Sequence, residues 1–570
     1  MAKIFEGHTA LGIGIVNLVI LMLAGVSGAA EISSCTTISS PGEYVLNRSI
    51  IDSDATSCIN ITSNDVVFDG AGHTIDGDGT GTYGVHVYNP TITVLTNVTV
   101  KNLVVTDWDD GILYHQVAGG SIANNTANSN GIGINLEGSS GNILTNNTAN
   151  SNSIGISIGD SWNNELISNT ANSNTVYGIG LGVSRGNILT ANNVYSNNIG
   201  IGIVAADGNR LTGNNANSNS IGISITHDST ENDLVNNNAS SNSDTGILLV
   251  GTYRVGDNLL INNNANSNGY GFRIEGSNNN ELISNNAYSN RYTGISLSGA
   301  SSANTLTANN VNSNGYTGIE ILDSDGNRLT GNNANSNKIG ISITHGGIDN
   351  TLINNNASLN RDTGILLANG AGPGVSDNIL SNNTANSNGY GFRLEDSHKN
   401  VLDSNSVISN TIYGISLINS NDNIINNNHF DNINNAYDDA SYEFNTWNST
   451  KTAGVNIIGG PYLGGNHWSD YTGVDIDGDG LGDTLLPYNS SGNILNGGDH
   501  LPLVTPVSTV TPTVTPTATP TATPTVTPTA TPTVTPTPTQ PISVPEFPIS
   551  VAFPVAGILG MVLLLARGRD

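Results

Sequence analysis

Asn142-Ile143-Leu144-Thr145-Asn146-Asn147-Thr148-Ala149-Asn150-Ser151-Asn152-Ser153-Ile154-Gly155-Ile156-Ser157-Ile158 is one turn of a repeat that runs through most of the chain. Its frame is Asn-x-Leu-x-x-Asn-x-Ala/Val-x-x-Asn, followed after one to three residues by Gly-Ile-x-Ile/Leu. The last Asn of the frame falls at Asn130, Asn152, Asn174 and onward to Asn432, at steps of mostly 22 to 24 residues. In Gly155-Ile156-Ser157-Ile158 apolar side chains alternate with small or polar ones, the period of a short strand with one face inward. Leu144, Leu166, Leu189 and Leu211 mark a second strand, and Ala149, Ala171, Val194 and Ala216 mark a third inward position where the interior is narrow. One such turn cannot bury its strands alone, so neighbouring turns stack and each strand pairs in parallel with its counterpart. The predicted fold is all-β: a right-handed parallel β-helix.

The recurring asparagines have a physical role in that fold. At a tight bend an Asn side chain bonds to backbone groups and tolerates left-handed conformations, and copies one coil apart form a ladder. This separates the chain from a disordered polar tract, which would not place Ile and Leu so regularly. A leucine-rich repeat needs a Leu-x-x-Leu-x-Leu run, whereas this frame offers a second β segment.

Composition bounds function. The formal charge is -29, with only 16 Lys and Arg, which excludes a basic groove for nucleic acid. Cys35 and Cys58, the two cysteines, lie close together near the N-terminus, and an even pair in an exported chain favours a disulfide. Export is indicated by Lys3, the apolar run from about Leu11 to Ala24 and the small residues Ser27-Gly28-Ala29-Ala30, the three parts of a secretory signal.

The expected organisation is a signal peptide at 1–30, an N-terminal cap with the disulfide at 31–64 and β-helix repeats at 65–437. A C-terminal cap at 438–504, a Thr/Pro stalk at 505–544 and an anchor or sorting segment at 545–570 follow. The stalk reads Thr-Pro-Thr-Val/Ala almost without interruption, so neither helix nor sheet can form, and its threonines are open to O-glycosylation. The last segment holds Pro545-Glu546-Phe547-Pro548, the apolar stretch Ile549 to Ala566, then Arg567 and Arg569. It resembles the PEF-type C-terminal sorting signal of archaeal surface proteins. That resemblance implies processing by signal peptidase and an archaeosortase; a plain membrane helix is the other reading, and both put the domain on the outer face of the cell.

The repeat, with the opening Asp65-Val66-Val67-Phe68-Asp69-Gly70-Ala71-Gly72-His73-Thr74-Ile75-Asp76-Gly77, resembles the NosD-type or CASH β-helix family over about residues 40 to 500. The resemblance implies the fold. Members so named include polysaccharide-acting enzymes, a protein implicated in copper supply and many surface proteins, so it does not choose a function.

Copper sites use thioether, thiolate or imidazole. Met1, Met22 and Met561 lie in the end segments, and His73, His86, His115, His227, His345 and His467 are scattered singly, so copper handling is disfavoured. Cleavage of a glycan needs paired carboxylates or a carboxylate cluster with a base. Asp107, Asp109 and Asp110 with His115 are the nearest approach, although Asp-Asp-Gly reads equally as a bend. Asp475, Asp477, Asp479 and Asp483, with the Leu481 carbonyl, have the spacing of a calcium loop, but Leu486 replaces its last acid. Calcium is the one expected cofactor, in a structural role. Sequons permit N-glycosylation at Asn47, Asn60, Asn97, Asn238, Asn356, Asn448 and Asn489.

The remaining signal is a duplication. Asp207-Gly208-Asn209-Arg210-Leu211 returns as Asp325-Gly326-Asn327-Arg328-Leu329, a shift of 118 residues, or five coils. Each block carries Phe-Arg-x-Glu on the Gly-Ile-x-Ile strand, at Arg273 and Glu275, then Arg393 and Glu395, with Glu320 on the outward column between them. Such a duplicated patch is what a multivalent surface uses. The function expected is therefore a non-enzymatic, surface-anchored protein that binds cell-envelope components or polysaccharide. A surface polysaccharide lyase, hydrolase or epimerase is the alternative.

Overall fold

The computed structural model describes residues 28–505 except 92, 252–254 and 371–373. The signal segment before Gly28, the stalk beyond Thr505, and the sorting motif with its apolar stretch lie outside the described residues. Among the described residues, no helix is long and apolar enough to cross a membrane.

The chain winds as a three-sided parallel β-helix. One face is a ladder of short strands that begins at Ala30–Ile32 and Gly42–Leu46, continues through Ile143–Thr145 and Glu165–Ile167, and ends at Ile424–Asn426. In these strands the middle residue points inward: Leu144 pairs in register with Leu166, and both are fully buried. The second face is a ladder of 18 strands, from Thr36–Ile38 to Ala436–Asp438. Seventeen steps of about 4.8 Å make a rod of about 80 Å. Ile156 and Ile158, Ile179 and Leu181, Ile201 and Ile203 fill its inner side without exposure. The third face is a true sheet only near the ends, as at Val104–Thr106 and His429–Asp431, and elsewhere shrinks to one bridge per coil, such as Thr148 to Thr170. Its inward residue is small: Ala149, Ala171, Val194 and Ala216 are each fully buried. The segment 31–64, expected as a cap, carries strands that join both main ladders, so the stacking starts there. Cys35 and Cys58 form a disulfide in this part, with Cα atoms 4.3 Å apart.

Each of the three frame asparagines heads its own internal ladder, one at each corner. Asn142 donates its backbone N–H and its side-chain Nδ2 to the Oδ1 of Asn164, at 2.9 and 3.0 Å. Asn147 does the same toward Asn169, and the Asn152 N–H donates to Asn174. The left-handed turn residue is not the ladder asparagine, as expected from sequence, but the residue before it: Gly141, Asn146 and Ser151 have φ of 62°, 53° and 59°. The division of labour is physical, because the ladder side chain must point inward while the bend needs a residue that tolerates positive φ. The glycine of Gly-Ile is set by close approach between coils. A Cβ on Gly222 would lie 2.5 Å from the Gly246 carbonyl and 2.7 Å from Asn242 Nδ2.

The C-terminal end of the solenoid is closed by residues 438–504. Phe430, Trp447, Trp468 and Tyr488 pack against one another there, with ring centroids 4.5 to 5.6 Å apart. Asn466 takes over the second asparagine ladder from Asn428. Asp499 is buried beneath the rings and accepts from Trp468 Nε1 and the Asn466 N–H; burial pushes its carboxyl up to about 6.

Candidate functional site

The outward side of the 18-strand face carries the duplicated residues. The register places Leu248, Arg273, Ser296 and Glu320 in one column, which runs on through Ser342 and Leu366 to Arg393. Five steps separate the two arginines, about 24 Å. Each arginine has the same surroundings. Arg273 ion-pairs with Glu275 and lies over the Tyr270 ring, its guanidinium carbon 5.4 Å from the centroid. Arg393 ion-pairs with Glu395 and lies over Tyr390 at 5.0 Å. These side chains are only about a third exposed, so the points are held rather than free-standing. Between them Glu320 Oε2 accepts from Ser296 Oγ at 3.1 Å. Further rings extend both points: Tyr292 lies 5.2 Å from Tyr270, and Tyr413 lies between Tyr390 and Tyr437. The segments that leave the strands Thr245–Val250 and Thr363–Ala368 start against these coils, since Gly251 N–H donates to the Glu275 carbonyl and Asn369 N–H to that of Glu395.

A second cluster lies on the same face near the N-terminal end. Asp110 is half-buried and accepts from Asn135 Nδ2 at 3.3 Å. Burial pushes its carboxyl up to about 7, and the charges of Asp109 and Glu137 add to the rise. His86 is stacked between Tyr83 and Tyr88, with centroids 4.2 and 4.0 Å away, and its Nε2 is buried without a partner. Burial holds the His86 imidazole down at about 4, with His115, 6.4 Å away, adding to the effect. Of the acids named from sequence, only Asp110 joins this group with His115; Asp107 and Asp109 stay exposed at the bend. Tyr83, His86, Tyr88, Asn135 and Glu137 were missed because they meet Asp110 and His115 only once three coils are set in register. The alternation in Tyr83-Gly84-Val85-His86-Val87 was the available signal.

The acidic loop past the coils gathers three of its four carboxylates. Oxygens of Asp475, Asp477 and Asp483 lie within 4.8 Å of one another. Asp479 instead turns to an ion pair with Lys451, and its Oδ1 accepts from the Leu481 N–H. Oxygen donors of this type fit a hard cation such as calcium. A soft copper site is not supported among the described residues: they include no methionine, and both cysteines are bonded to each other. The histidines are less scattered than the sequence suggested. His429 and His467 face each other at 4.5 Å on adjacent strands, but no third His, Cys, Asp or Glu completes a metal group with them among the described residues.

No curated protein matches the sequence. Among solved structures, the chain is similar to the periplasmic alginate epimerase AlgG at 16% identity, covering 64% of this chain and 76% of that one, with a TM-score of 0.32. It is also similar to the A-module of the Azotobacter vinelandii mannuronan C-5 epimerase AlgE4, at 14% identity over 72% and 91%, TM-score 0.27. A third likeness is the catalytic domain of a GH87 α-1,3-glucanase, at 12% identity over 52% and 61%, TM-score 0.23. None of these likenesses assigns an activity to the chain. The sequence profile described as Periplasmic copper-binding protein (NosD) matches residues 57–245, 234–363 and 349–473, most of the coils, and the chain therefore belongs to the NosD family.

Proposed function

We propose that the chain is a non-enzymatic polysaccharide-binding rod of the cell envelope. The observation that carries this reading is the repetition of one constellation, Tyr270 with Arg273 and Glu275, then Tyr390 with Arg393 and Glu395, on a single face. A tyrosine ring offers an apolar plane for a sugar ring, and a guanidinium fixed by a carboxylate offers directed donors at its edge. Two weak contacts about 24 Å apart on a rigid ladder gain through effective concentration when one polymer spans both. The test is retention of the full chain on a panel of immobilised polysaccharides. Arg273→Ala or Arg393→Ala alone should weaken retention moderately and the double change far more. Equal retention by the double variant and the unmodified chain rejects the reading.

The alternative, a surface carbohydrate-active enzyme, is favoured by one observation: Asp110, a carboxyl near neutrality, beside the neutral imidazole of His86. Its mark would be new reducing or unsaturated chain ends in the same panel, lost in Asp110→Asn. The proposal also includes export, tethering through the Thr/Pro stalk and C-terminal segment, and a structural calcium ion at Asp475, Asp477 and Asp483.

A further inference from the structure

The face opposite in role to the arginine column has its own pattern. Along the three-residue strands, the outward residue after the buried leucine is β-branched in ten consecutive coils, from Thr145 to Ile353. All ten are partly exposed. The stripe stops at Ser381 and is preceded by Ala123, so it is a bounded patch. Its midpoint lies between the coils of Val235 and Ile261, five on either side.

The outward residue before each leucine is charged at set places. Glu165, Arg210, Glu281 and Arg328 occupy the first, third, sixth and eighth coils of an eight-coil run. The midpoint of this run, between Asp233 and Leu259, coincides with the midpoint of the β-branched stripe. About that point four of the charges are antisymmetric: Glu165 mirrors Arg328 and Arg210 mirrors Glu281, whereas Asp233 mirrors Leu259. Asp233, the remaining acid of the run, is held by Arg210 within its own chain at 3.8 Å.

We infer that this face is the interface of an antiparallel dimer with a second copy of the chain. A twofold axis along the strand direction, at the shared midpoint, brings the two faces together with their rods reversed. Each column then meets itself in the opposite order. Glu165 faces the Arg328 of the second copy, and Arg210 faces its Glu281. The β-branched stripe meets its own reverse, so the centre of the contact excludes water while the charges set the register. The duplication accounts for the pattern. Glu165 and Glu281, like Arg210 and Arg328, are five coils apart, and doubling one such acid and base gives an antisymmetric row of four charges, while Asp233 has Thr351 as its counterpart five coils on. Ten coils by about 15 Å give about 650 Å² per copy, or about 1,300 Å² in all, within the range of specific interfaces. Glu231 and Asp257, at the turn beside the midpoint, come toward each other and oppose the contact, as does the net charge, so the pairing needs ordinary salt. The arginine column lies on another side of the rod and stays open in both copies.

The experiment is sedimentation equilibrium of the full chain in detergent at about 150 mM salt, where the screening length is about 8 Å. The unmodified chain should be a dimer. Arg328→Glu and Glu165→Arg should each raise the dissociation constant at least tenfold, and the two changes combined should restore it, because the pair is then reversed rather than broken. These side chains are on the outer surface, and unchanged melting confirms that folding is intact. A monomeric unmodified chain, a dimer indifferent to either single change, or failure of the combined variant to recover would each overturn the inference.

Discussion

Asn237 and Asn263 lie 26 residues apart in sequence and one coil apart in space, and both the backbone N–H and the side-chain Nδ2 of Asn237 donate to the Oδ1 of Asn263, at 2.9 and 3.0 Å. In turn, Asn237 Oδ1 accepts from the N–H and Nδ2 of Asn214. Asn237 therefore satisfies the corner of the coil before it and is satisfied by the coil after it, whereas the Oδ1 of Asn214, one coil earlier, is buried without a partner. This explains how a chain with 5% aromatic residues holds a rod together. The polar groups that a bend would otherwise bury unpaired are paired by side chains already pointing inward.

Replacing one rung should be costly. Asn237→Ala removes the acceptor shared by the buried Asn214 N–H and Nδ2, and one donor to the Leu211 carbonyl, leaving the Asn214 N–H without a partner. The expected loss is about 2–4 kcal/mol, measured by urea unfolding. Half-buried Asn217, which lies outside this ladder and accepts only from the Ser240 N–H, should tolerate alanine with less than half of that loss. Equal losses at the two positions would show that the ladder is not what stabilises the corners.

The same ladder shows what sequence could convey. The frame marked all three inward asparagines, the buried leucines and the small third residue, because each is a spacing within one coil. Steps of 26 and 28 residues, as from Asn237 to Asn263 and Asn355 to Asn383, still carry the ladder to the next coil. What escaped were relations between coils. His86 meets His115 only through register, Lys451 reaches Asp479 across 28 residues of irregular chain, and the left-handed residue of each bend is fixed by backbone geometry rather than by residue type.

Asp110 gives a pH dependence whose sign can be worked out. Its folded carboxyl titrates at about 7 against an ordinary 3.8, so between about pH 4 and 7 the unfolded chain loses the proton first. Rising pH therefore lowers stability across this window. Asp110→Asn should leave the melting temperature unchanged at pH 4 and raise it by about 1–3 °C at pH 8. The same difference at both pH values would mean that the carboxyl is ionised throughout.

The proposed processing predicts a defined end. If the Pro545-Glu546-Phe547-Pro548 segment is a sorting signal, mass spectrometry of native protein should detect no peptide beyond about Phe547, and Glu546→Ala should accumulate uncut precursor. Recovery of Arg567 to Asp570 from surface material would instead favour a retained helix.

The calcium proposal makes its sharpest prediction at Lys451. Three carboxylates with oxygens within 4.8 Å of one another repel, and the loop relieves this in part through backbone donors: Gly478 N–H and Gly480 N–H to Asp475, and Ile476 N–H to Asp483. The fourth acid, Asp479, is neutralised by Lys451, which also lies 4.7 Å from the Tyr462 ring centroid. An ion entering the loop gains most if Asp479 can turn from the lysine to the metal. Lys451→Met should therefore tighten calcium binding several-fold, whereas Asp477→Asn should weaken it at least tenfold, both by calorimetric titration with Ca²⁺ alone. Calcium should also raise the melting temperature and slow proteolysis within residues 438–504, and chelation should reverse both while leaving the coils folded on their own ladders. The proteolysis readout matters because the cap packs on the last coil through Phe430 and Trp468. Loosening of the loop alone would nick the chain near Asp477 without exposing those rings. No heat on titration to millimolar Ca²⁺, with unchanged melting, would mean that Lys451 already supplies the only cation the loop uses.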